Sequence, residues 1–503
     1  MSHTIEQLDA EASVLLAKYS SNELKNKDRL AIPVQEMPSQ APEIRVNNME
    51  EVALGYTEAQ VIVESMRCLQ CATAPCVDGC PVRIDIPGFI ALAAKGDFAR
   101  SIATIKDSSM LPSVCGRVCP QESQCQLTCT VGKVHKNVDK AVAIGRIERY
   151  VADWEANHGT RSIPPVLSST GKKVGVIGSG PASMTAAADL RRAGHEVVMF
   201  EALHKAGGVL VYGIPEFRLP KRIVEEELHT LSDMGVKIEY NFLVGRTATI
   251  NDLMEREGFS ALFIGSGAGL PNFLNIPGEN LIGVFSANEY LTRSNLMKAY
   301  DKAKAGTPLF DSKKVLVFGG GNVAMDAART AKRLGADEVN IVYRRTSEEM
   351  PARREEVVHA HEEDIIFKYL HAPKEILGDD KGRVTGVKVI LCELGAPDSS
   401  GRRSPVEIPG SEQVLSCDTV IVAIGNSSNP LIEKTTKGLK VDRKGHIVVD
   451  EETCATSMPG VYAGGDIVLG SATVILAMGQ GRKAAKAMNE YLLAQEKVGG
   501  SAT

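Results

Sequence analysis

The pattern of apolar positions changes near residue 168 and divides the chain into two regions. In the first region apolar residues recur at helical spacing, which predicts helices over Glu58–Arg67, Ile86–Lys95 and Ala141–Asn157. A stretch rich in Pro, Ser and Gly over residues 164–171 is typical of a linker. Beyond it, short runs rich in Val and Ile alternate with helical segments, which is the pattern of a parallel α/β sheet.

The second region contains an internal repeat. Residues 174–184 align with residues 315–325 at an offset of 141. In both copies an apolar strand leads into a glycine-rich turn and an Ala-rich helix, and a second strand follows, over Glu196–Glu201 or Glu338–Tyr343. Since strand, glycine turn and helix form the nucleotide-binding part of a Rossmann-like unit, the repeat predicts two dinucleotide-binding units.

The first glycine turn contains Gly178 and Gly180. Gly178 permits a tight turn, Gly180 lets backbone N–H groups approach a pyrophosphate, and the helix beginning at Pro181 points its positive end at that charge. Ser183 at the third position is small enough for close packing of helix and strand. The second strand ends at Glu201, whose carboxylate can accept both hydroxyls of an unphosphorylated ribose, so we assign FAD to this unit.

The second glycine turn contains Gly319 and Gly321, with Ala324 at the third position. Its second strand ends at Arg344 and Arg345, with no acid at the equivalent place. Guanidinium groups suit a 2′-phosphate, so we assign NADP(H) to this unit. The alternative, that both turns are merely structural, is disfavoured because the two units carry opposite charges at the position that selects the cofactor.

A third glycine motif, Gly464–Asp466, follows a short apolar strand. Gly465 can admit a cofactor, and Asp466 can meet the ribityl or phosphate side of a flavin. The helix that starts near Thr473 could aim its N-terminus at the electron-rich edge of a reduced isoalloxazine. Gly-Gly-Asp alone is more often a turn, but with the Glu201 unit upstream it indicates a flavin site.

Length and charge narrow the possible functions. The chain has 503 residues, with 57 Lys and Arg against 62 Asp and Glu, and a prior of about 150 residues per domain suggests about three domains. A net charge of −5 without long blocks of one sign argues against a nucleic-acid binder and a polybasic membrane patch. No apolar run approaches the ~20 residues of a spanning helix, so we expect a cytoplasmic protein. We expect disorder only in the first 50 residues and after Lys497.

Eight of the 11 cysteines lie within the 62 residues from Cys68 to Cys129. This density in a protein without an export signal indicates a metal or cluster module rather than disulfides. The spacing forms two groups of four: Cys68, Cys71, Cys76 and Cys80, then Cys115, Cys119, Cys125 and Cys129. Two zinc sites are the alternative. Iron–sulfur clusters are favoured because a chain with FAD and NADP(H) needs a one-electron exit.

Two nucleotide units with a Gly-Gly-Asp motif resemble the flavoprotein reductases with two dinucleotide-binding domains, in which the NAD(P) domain is inserted into the FAD domain. The resemblance implies an α/β fold with two Rossmann-like domains, preceded by an α-helical iron–sulfur domain over residues 1–168. It further implies an FAD domain over 169–284 and 425–503, and an NADP(H) domain over 285–424. Neither nucleotide unit has a close pair of cysteines, so the thiol–disulfide chemistry of some relatives in that superfamily is disfavoured.

Longer motifs closely resemble the glutamate synthase small-subunit family. That family includes the NADP-linked subunit of electron-bifurcating ferredoxin:NADP transhydrogenase and the amino-terminal half of dihydropyrimidine dehydrogenase. The motifs of this chain resemble those of the transhydrogenase subunit more closely than those of classical small subunits. The motifs are Arg-Cys-Leu-Gln-Cys at 67–71, Cys-Gly-Arg-Val-Cys-Pro-Gln-Glu at 115–122, Ala-Ile-Gly-Arg-Ile-Glu-Arg-Tyr at 143–150 and Gly-Gly-Val-Leu-Val-Tyr-Gly-Ile-Pro-Glu-Phe-Arg-Leu-Pro at 207–220.

The resemblance implies two interleaved [4Fe–4S] clusters, one held by Cys68, Cys71, Cys76 and Cys129, the other by Cys80, Cys119, Cys125 and Glu148. Cys115 would be a spare thiol. Spacing alone suggests one cluster for each group of four, and Glu148 could instead be an ordinary helical surface acid or a partner of Arg146 or Arg149. Residues assigned to FAD are Gly178, Gly180, Pro181, Ala182, Glu201, Gly208, Arg218, Gly465, Asp466 and Thr473. Those assigned to NADP(H) are Gly319, Gly321, Asn322, Val323, Arg344 and Arg345.

These assignments predict an NADPH-dependent oxidoreductase subunit that moves electrons between NADP(H), FAD, two clusters and a partner subunit. Hydride transfer needs no side-chain acid or base, and we expect the His and Glu residues of 355–363 to form a solvated helix face. The leading hypothesis is the NADP-linked module of a ferredoxin:NADP transhydrogenase-type complex. The alternatives are the small subunit of NADPH-dependent glutamate synthase, a stand-alone NADPH:acceptor reductase and a non-catalytic scaffold.

Overall fold

The computed structural model describes residues 3–20, 23–159, 162–301, 303 and 305–499. The described residues before 173 contain helices and no strand. These helices are α1 (Ile5–Tyr19), α2 (Asn26–Ala31), α3 (Pro42–Arg45), α4 (Glu58–Met66), α5 (Pro75–Asp78), α6 (Ile86–Ala93), α7 (Phe98–Lys106), α8 (Pro112–Val118), α9 (Cys125–Thr128), α10 (Thr130–Val134) and α11 (Ile144–Asn157).

The rest of the chain alternates strands and helices. The later helices are α12 (Pro181–Arg192), α13 (Val209–Tyr212), α14 (Lys221–Asp233), α15 (Ala287–Asn295), α16 (Asn322–Arg333), α17 (Arg354–Glu362), α18 (Leu431–Thr435), α19 (Asp466–Leu469) and α20 (Val474–Gly499). The strands are β1 (Lys173–Ile177), β2 (Glu196–Phe200), β3 (Lys237–Glu239), β4 (Ala261–Ile264), β5 (Leu270–Pro271), β6 (Val284–Ser286), β7 (Lys314–Phe318), β8 (Glu338–Tyr343), β9 (Ile366–Tyr369), β10 (His371–Gly378), β11 (Val384–Pro397), β12 (Arg403–Glu407), β13 (Gln413–Ser416), β14 (Thr419–Val422), β15 (Asn426–Ser427) and β16 (Val461–Ala463).

Capping and close packing explain the helical region. Thr57 begins α4 with a capping box, in which Thr57 and Gln60 each accept a hydrogen bond from the other's backbone N–H group. Helix α11 buries Ile147 and Val151 and packs against α7 and α8. The crossing with α8 is close because Gly116 has no side chain; a Cβ atom there would lie 2.6 Å from the backbone nitrogen of Arg149. This crossing holds α11 against the cysteine-bearing stretches.

Two parallel five-stranded sheets form the α/β region. The first has the order β16-β4-β1-β2-β3 and the second β6-β14-β7-β8-β9. Both central strands, β1 and β7, are almost fully buried Val-rich runs, as expected of parallel strands covered on both faces. The α/β class and the helical region before it are therefore confirmed.

Smaller sheets complete the fold. Strands β10, β11, β12 and β13 form an antiparallel sheet beside the second parallel sheet. The short strands β5 and β15 pair antiparallel, with Leu270 opposite Ser427 and Pro271 opposite Asn426. These two strands lie on the stretches that lead from the first sheet to the second and back, so the chain crosses between the sheets at one place.

The expectation of disorder in the first 50 residues is wrong for the described part of that segment. Helix α1 has a Thr4–Gln7 capping box and packs against α4. Arg45 of α3 is almost completely buried, and it forms an ion pair with Glu363. At the other end α20 extends to Gly499, and residues 500–503 lie outside the described residues.

None of the described helices combines the length and the apolar character needed to cross a membrane.

Candidate functional site

Four thiols from three stretches surround one cavity. Cys68 and Cys71 follow α4, Cys76 lies in α5 and Cys129 separates α9 from α10. They line a cavity of about 300 Å³ whose other walls are largely apolar. Burial raises the pKa of Cys68 to about 11 and that of Cys76 to about 12. Because ligation requires thiolates, the group that fits here must bring positive charge.

A second cavity of about 360 Å³ is lined by Cys80, Cys119, Cys125, Glu148 and Cys115. Glu148 projects from α11 and is only 6% exposed. Its Oε1 atom has no hydrogen-bond partner among the described residues, and burial raises its pKa to about 8. This placement excludes the alternative of an exposed surface acid. A buried, unpartnered carboxylate oxygen among thiols suits a ligand to a metal cluster.

The two sets of thiols are interleaved along the chain. Cys80 lies apart from the rest of the first sequence group, and Cys129 lies apart from the rest of the second. The packing of α5 against α9 causes this exchange. Nowhere in the described ranges do three Cys, His, Asp or Glu side chains converge as they would on one metal ion. The thiols instead line two separate cavities, an arrangement that suits polyatomic clusters better than single metal ions.

Cys115 lies in α8 at the edge of the second cavity. Its Sγ atom is 3.5 Å from the Sδ atom of Met478 in α20. The neighbouring Cys119 and burial both raise the pKa of this thiol well above its usual value. Cys115 therefore lines the cavity and also contacts α20, the helix that packs against α12.

The first glycine turn joins β1 to α12. Gly178 has φ +92°, and a Cβ atom there would lie 2.5 Å from the carbonyl oxygen of Gly265. Gly180 directly precedes Pro181 and α12. A Cβ atom on Gly180 would have no neighbouring atom within 4 Å. Gly208 approaches so closely that its Cβ would lie 3.0 Å from the Cα atom of Gly180. The open helix N-terminus, framed by glycines, fits a pyrophosphate.

Glu201 directly follows β2, and hydrogen bonds to both of its carboxylate oxygens fix its orientation. One oxygen accepts a hydrogen bond from the hydroxyl of Ser179, and the other accepts one from the backbone N–H of Leu203 at 2.7 Å. The Ser179 hydroxyl also accepts a bond from the N–H of Gly207 at 3.0 Å. The remaining lone pairs of the carboxylate are available to ribose hydroxyls.

Gly465 and Asp466 reach the same place from β16. A Cβ atom on Gly465, whose φ is +81°, would lie 3.0 Å from the Cβ atom of Ala182. Burial raises the pKa of Asp466 to about 6, and its Oδ1 accepts a hydrogen bond from the N–H of Ala472. The structure therefore brings Asp466 beside the N-terminus of α12.

Helix α20 connects this place with the second cysteine cavity. Thr473 lies just before the helix, and its hydroxyl accepts a hydrogen bond from the Gln124 side chain at 3.3 Å. Gln124 and Ile475 both line the second cavity. Further along the helix, Gly481 lies against α12, where a Cβ would be 2.2 Å from the carbonyl oxygen of Ala182. One helix thus touches both sites.

The second glycine turn joins β7 to α16. Gly319 has φ +150°, and its Cβ would lie 2.3 Å from the carbonyl oxygen of Ala423. Gly321 caps α16 without a side-chain hydrogen bond, and a Cβ there would be in ordinary contact with Pro351, at 3.8 Å. Asn322 accepts a bond from the N–H of Arg353 at 2.9 Å, and Val323 is 37% exposed. A second phosphate-sized cradle is therefore present.

The two arginines after β8 have different environments. Arg345 is buried, and its guanidinium donates to the carbonyl oxygen of Arg403 at 2.7 Å and to Asp398 at 2.6 Å. Arg344 is exposed and makes no hydrogen bond or ion pair with the described residues. The structure therefore separates the two residues: Arg344 makes no such contact with the described residues, whereas Arg345 is bound to the loop at 398–403.

Arg218, assigned to FAD from the sequence, has charged partners in the second unit. Its Nη1 atom lies 2.7 Å from both carboxylate oxygens of Asp326, and its Nε atom lies 3.1 Å from Glu356. Asp326 lies on α16 and Glu356 on α17. Arg218 therefore connects the glycine-rich segment of the first unit with the second unit.

The expected solvated face of α17 is wrong for two acids. Glu356 and Glu363 are buried against Arg329, Arg333 and Arg45. Burial would raise the pKa of Glu356, but the guanidiniums of Arg218 and Arg329 outweigh it and lower the pKa to about 2. A helix rich in charge is buried here because every inward acid has a guanidinium partner.

Comparisons with known proteins show which families this chain resembles. Residues 45–160 match the model described as dihydropyrimidine dehydrogenase domain II, 4Fe-4S cluster, and residues 172–487 match pyridine nucleotide-disulphide oxidoreductase. The chain is 36% identical to the glutamate synthase [NADPH] small chain of Azospirillum brasilense over 92% of this chain and 95% of that protein. The chain belongs to the glutamate synthase small-chain family. The resemblance inferred from the sequence motifs is thereby confirmed.

Other relatives are longer than this chain. It is 38% identical to the NADP(+)-dependent formate dehydrogenase subunit beta of Moorella thermoacetica over 84% of this chain, but spans only 60% of that protein. FprA of Mycobacterium tuberculosis shares the fold, with a TM-score of 0.55 and 21% identity over 66% of this chain and 86% of that one. This small-chain family member is an NADPH-dependent oxidoreductase subunit with FAD, NADP(H) and [4Fe–4S] clusters as cofactors, as predicted.

Sequence reasoning missed three residues that organise the site. Ser179 lies between the two glycines of the first turn, and its position could have suggested a partner for Glu201. Gln124 and Asp326 gave no signal, because each acts on a residue at least 100 positions away.

Proposed function

We propose that this chain converts the two-electron chemistry of NADPH into one-electron steps and passes the electrons to a partner redox protein. When bound, FAD accepts hydride, and [4Fe–4S] clusters transfer single electrons. The residues at the two glycine turns would hold FAD and NADPH, and the thiols of the two cysteine cavities would hold the clusters that supply one-electron transfer to the partner. The observation that carries the proposal is the position of α20, which touches both the first turn of α12, directly after the first glycine turn, and the second cavity.

The proposal assigns a role to each group of residues. Residues 169–284 and 425–503 would hold FAD at Gly178, Gly180, Glu201 and Asp466, and residues 285–424 would hold NADP(H) at Gly319, Gly321 and Arg344. Cys80, Cys119, Cys125 and Glu148 would hold the cluster nearer to the flavin. At the other cavity two thiols, Cys71 and Cys76, are half-buried, against one, Cys125, at the cavity nearer to the flavin; this difference supports the other cavity as the exit toward a partner.

Two partner types have separate support. The residues of the motifs at 67–71 and 115–122 favour a ferredoxin:NADP transhydrogenase-type complex, in which this chain would be the NADP-linked module. A relative that is a glutamate synthase small chain and is covered over 95% of its length favours the role of supplying electrons for glutamate formation. Both partners would receive electrons from the same outer cavity.

Anaerobic purification with any associated subunits tests the proposal. The isolated chain should oxidise NADPH and show reduced-cluster EPR signals. Ferredoxin reduction by the co-purified complex would support the transhydrogenase role, and glutamine-dependent glutamate formation would support the synthase role. A monomer that reaches full physiological turnover without a partner would contradict the subunit assignment, and a chain that NADPH cannot reduce would contradict the function altogether.

A further inference from the structure

A short segment near the start of the chain lies against the backbone of Cys68. We call residues 26–35, which comprise α2 and the stretch after it, the covering segment. Its Arg29 donates through Nη1 to the carbonyl oxygens of Met66 at 2.9 Å and of Cys68 at 3.1 Å. Met66 ends α4, and the last carbonyl groups of a helix have no partner within it. Arg29 therefore satisfies the end of α4 at the point where the first thiol follows.

Two further contacts hold the covering segment in place. The carbonyl oxygen of Ile32 accepts a hydrogen bond from Nε of Arg67 at 3.2 Å, and the N–H of Gln35 donates to Glu64 at 2.9 Å. Ile32 and Gln35 are both buried. The segment is thus bound to residues 64–68 at three places, which fixes Arg29 beside the backbone of Cys68.

The two arginines at this place differ in net charge. Arg67 is buried and forms an ion pair with Glu64, so the pair contributes little net charge. Arg29 is half-buried and forms no ion pair within the described part of the chain. We call the cavity proposed above as the exit the first cavity. Apart from its four thiols, the described residues that line it have uncharged side chains. Arg29 therefore supplies an uncompensated positive charge next to this cavity.

We propose that Arg29 raises the reduction potential of the [4Fe–4S] cluster that the first cavity would hold. The inference rests on the proposed function, in which single electrons leave through that cavity. One-electron reduction adds one negative charge there, and a nearby guanidinium stabilises a negative charge most strongly where water is partly excluded. Net charge and hydrogen bonding around the cluster are among the features that set such potentials. Arg29 acts through the backbone of Cys68, so it is a positioning residue and not a ligand.

The test is an anaerobic redox titration of the holoprotein, followed by EPR, with Arg29→Gln and Arg29→Lys. Arg29→Gln loses the charge but keeps an amide donor. It should make reduction at the first cavity roughly tenfold less favourable, a fall of about 59 mV for one electron. Arg29→Lys keeps the charge, so its potential should stay within about twofold of the wild type in the same equilibrium constant. The signal of the second cavity, identified as the one that Glu148→Ala perturbs, should not move in either variant.

Hydrogen exchange separates the charge from the structural contact. Both variants replace a guanidinium by a group with fewer donors, so both should increase exchange in the covering segment, while only Arg29→Gln shifts the potential. Lys27→Gln is the matched control, because it removes an exposed cation from the same helix. Solvent and salt screen the charge of Lys27, so this control should leave both potentials unchanged.

Four results would overturn the role of Arg29: a wild-type potential in Arg29→Gln, an equal fall in Arg29→Lys, an equal fall in Lys27→Gln, or loss of the first-cavity cluster in both Arg29 variants. If only Arg29→Gln loses this cluster, Arg29→Lys decides: a wild-type potential supports the role, and a tenfold loss contradicts it. Wild-type protein without iron, or with clusters that NADPH does not reduce, would instead refute the proposed function.

Discussion

Arg344 and Arg345 are adjacent in sequence but have different physical roles. The exposed Arg344 guanidinium has all its donors available, whereas Arg345 is committed to Asp398 and the carbonyl of Arg403. We expect Arg344→Ala to raise the KM for NADPH roughly tenfold to hundredfold, the effect of one lost charge-assisted interaction, and to spare NADH. Steady-state kinetics with both nucleotides measures this.

Arg345→Ala serves as the comparison, because loosening the 398–403 loop should affect NADPH and NADH equally. Arg383→Ala removes an exposed arginine from the β10–β11 turn and should change neither KM. Equal effects of Arg344→Ala on the two nucleotides would refute the phosphate role.

Glu148 offers a test of the second cavity. If this buried carboxylate is a cluster ligand, Glu148→Ala should perturb one of the two reduced-cluster EPR signals and leave the other unchanged. Glu155→Gln lies on the same helix, far from the thiols in the ion pair with Lys106, and should alter neither signal. Unchanged spectra in Glu148→Ala would leave Glu148 as a buried acid without a ligand role.

Helix α20 depends on close contact with α12. At Gly481 there is no room for a side chain, since a Cβ would lie 2.2 Å from the carbonyl oxygen of Ala182. We expect Gly481→Ala to lower the free energy of unfolding by about 1–3 kcal/mol and to reduce FAD content, because the strain falls on the first turn of α12. Chemical denaturation and flavin absorbance measure the two effects.

Gly306→Ala is the control for this change. The surroundings of Gly306 are open within 4 Å, so an added methyl group meets nothing. Stability and FAD content should stay at wild-type values. A Gly481→Ala protein that keeps its stability and its flavin would show that α20 can move away from α12.

The helices and strands follow closely from the sequence pattern. The predicted helix over Glu58–Arg67 is observed over Glu58–Met66, and the strand predicted over Glu338–Tyr343 has those bounds. Capping residues, glycine turns and apolar runs are local signals, which explains their success. The burial of acids at α17 was not predictable in this way, because their partners are distant in sequence. They form ion pairs with Arg45 of α3, Arg329 of α16 and Arg218.

The whole molecule joins three parts through buried charge. Arg45 from the helical region, Arg218 from the first unit and Arg329 from the second all meet the acids of α17. Removing one partner from such a network leaves an uncompensated buried charge, which is costly. The three parts should therefore hold one relative orientation.

Metal content tests the redox organisation of the whole chain. Two [4Fe–4S] clusters require eight iron atoms, so anaerobically purified protein should contain about eight iron atoms, together with FAD. Elemental analysis and flavin absorbance provide the measurement. Two tightly bound zinc atoms and no iron would end the electron-transfer proposal.

The sequence by itself determined the local elements, the two nucleotide turns and the chemical type of the cysteine module, because each depends on residues close together in the chain. Only the tertiary structure decided which thiols share a cavity, which arginine stays exposed and how Arg218 reaches Asp326. Those outcomes depend on packing between elements up to several hundred residues apart. Burial at these contacts requires each charge to have a partner, whereas an exposed charge stays accessible to a ligand.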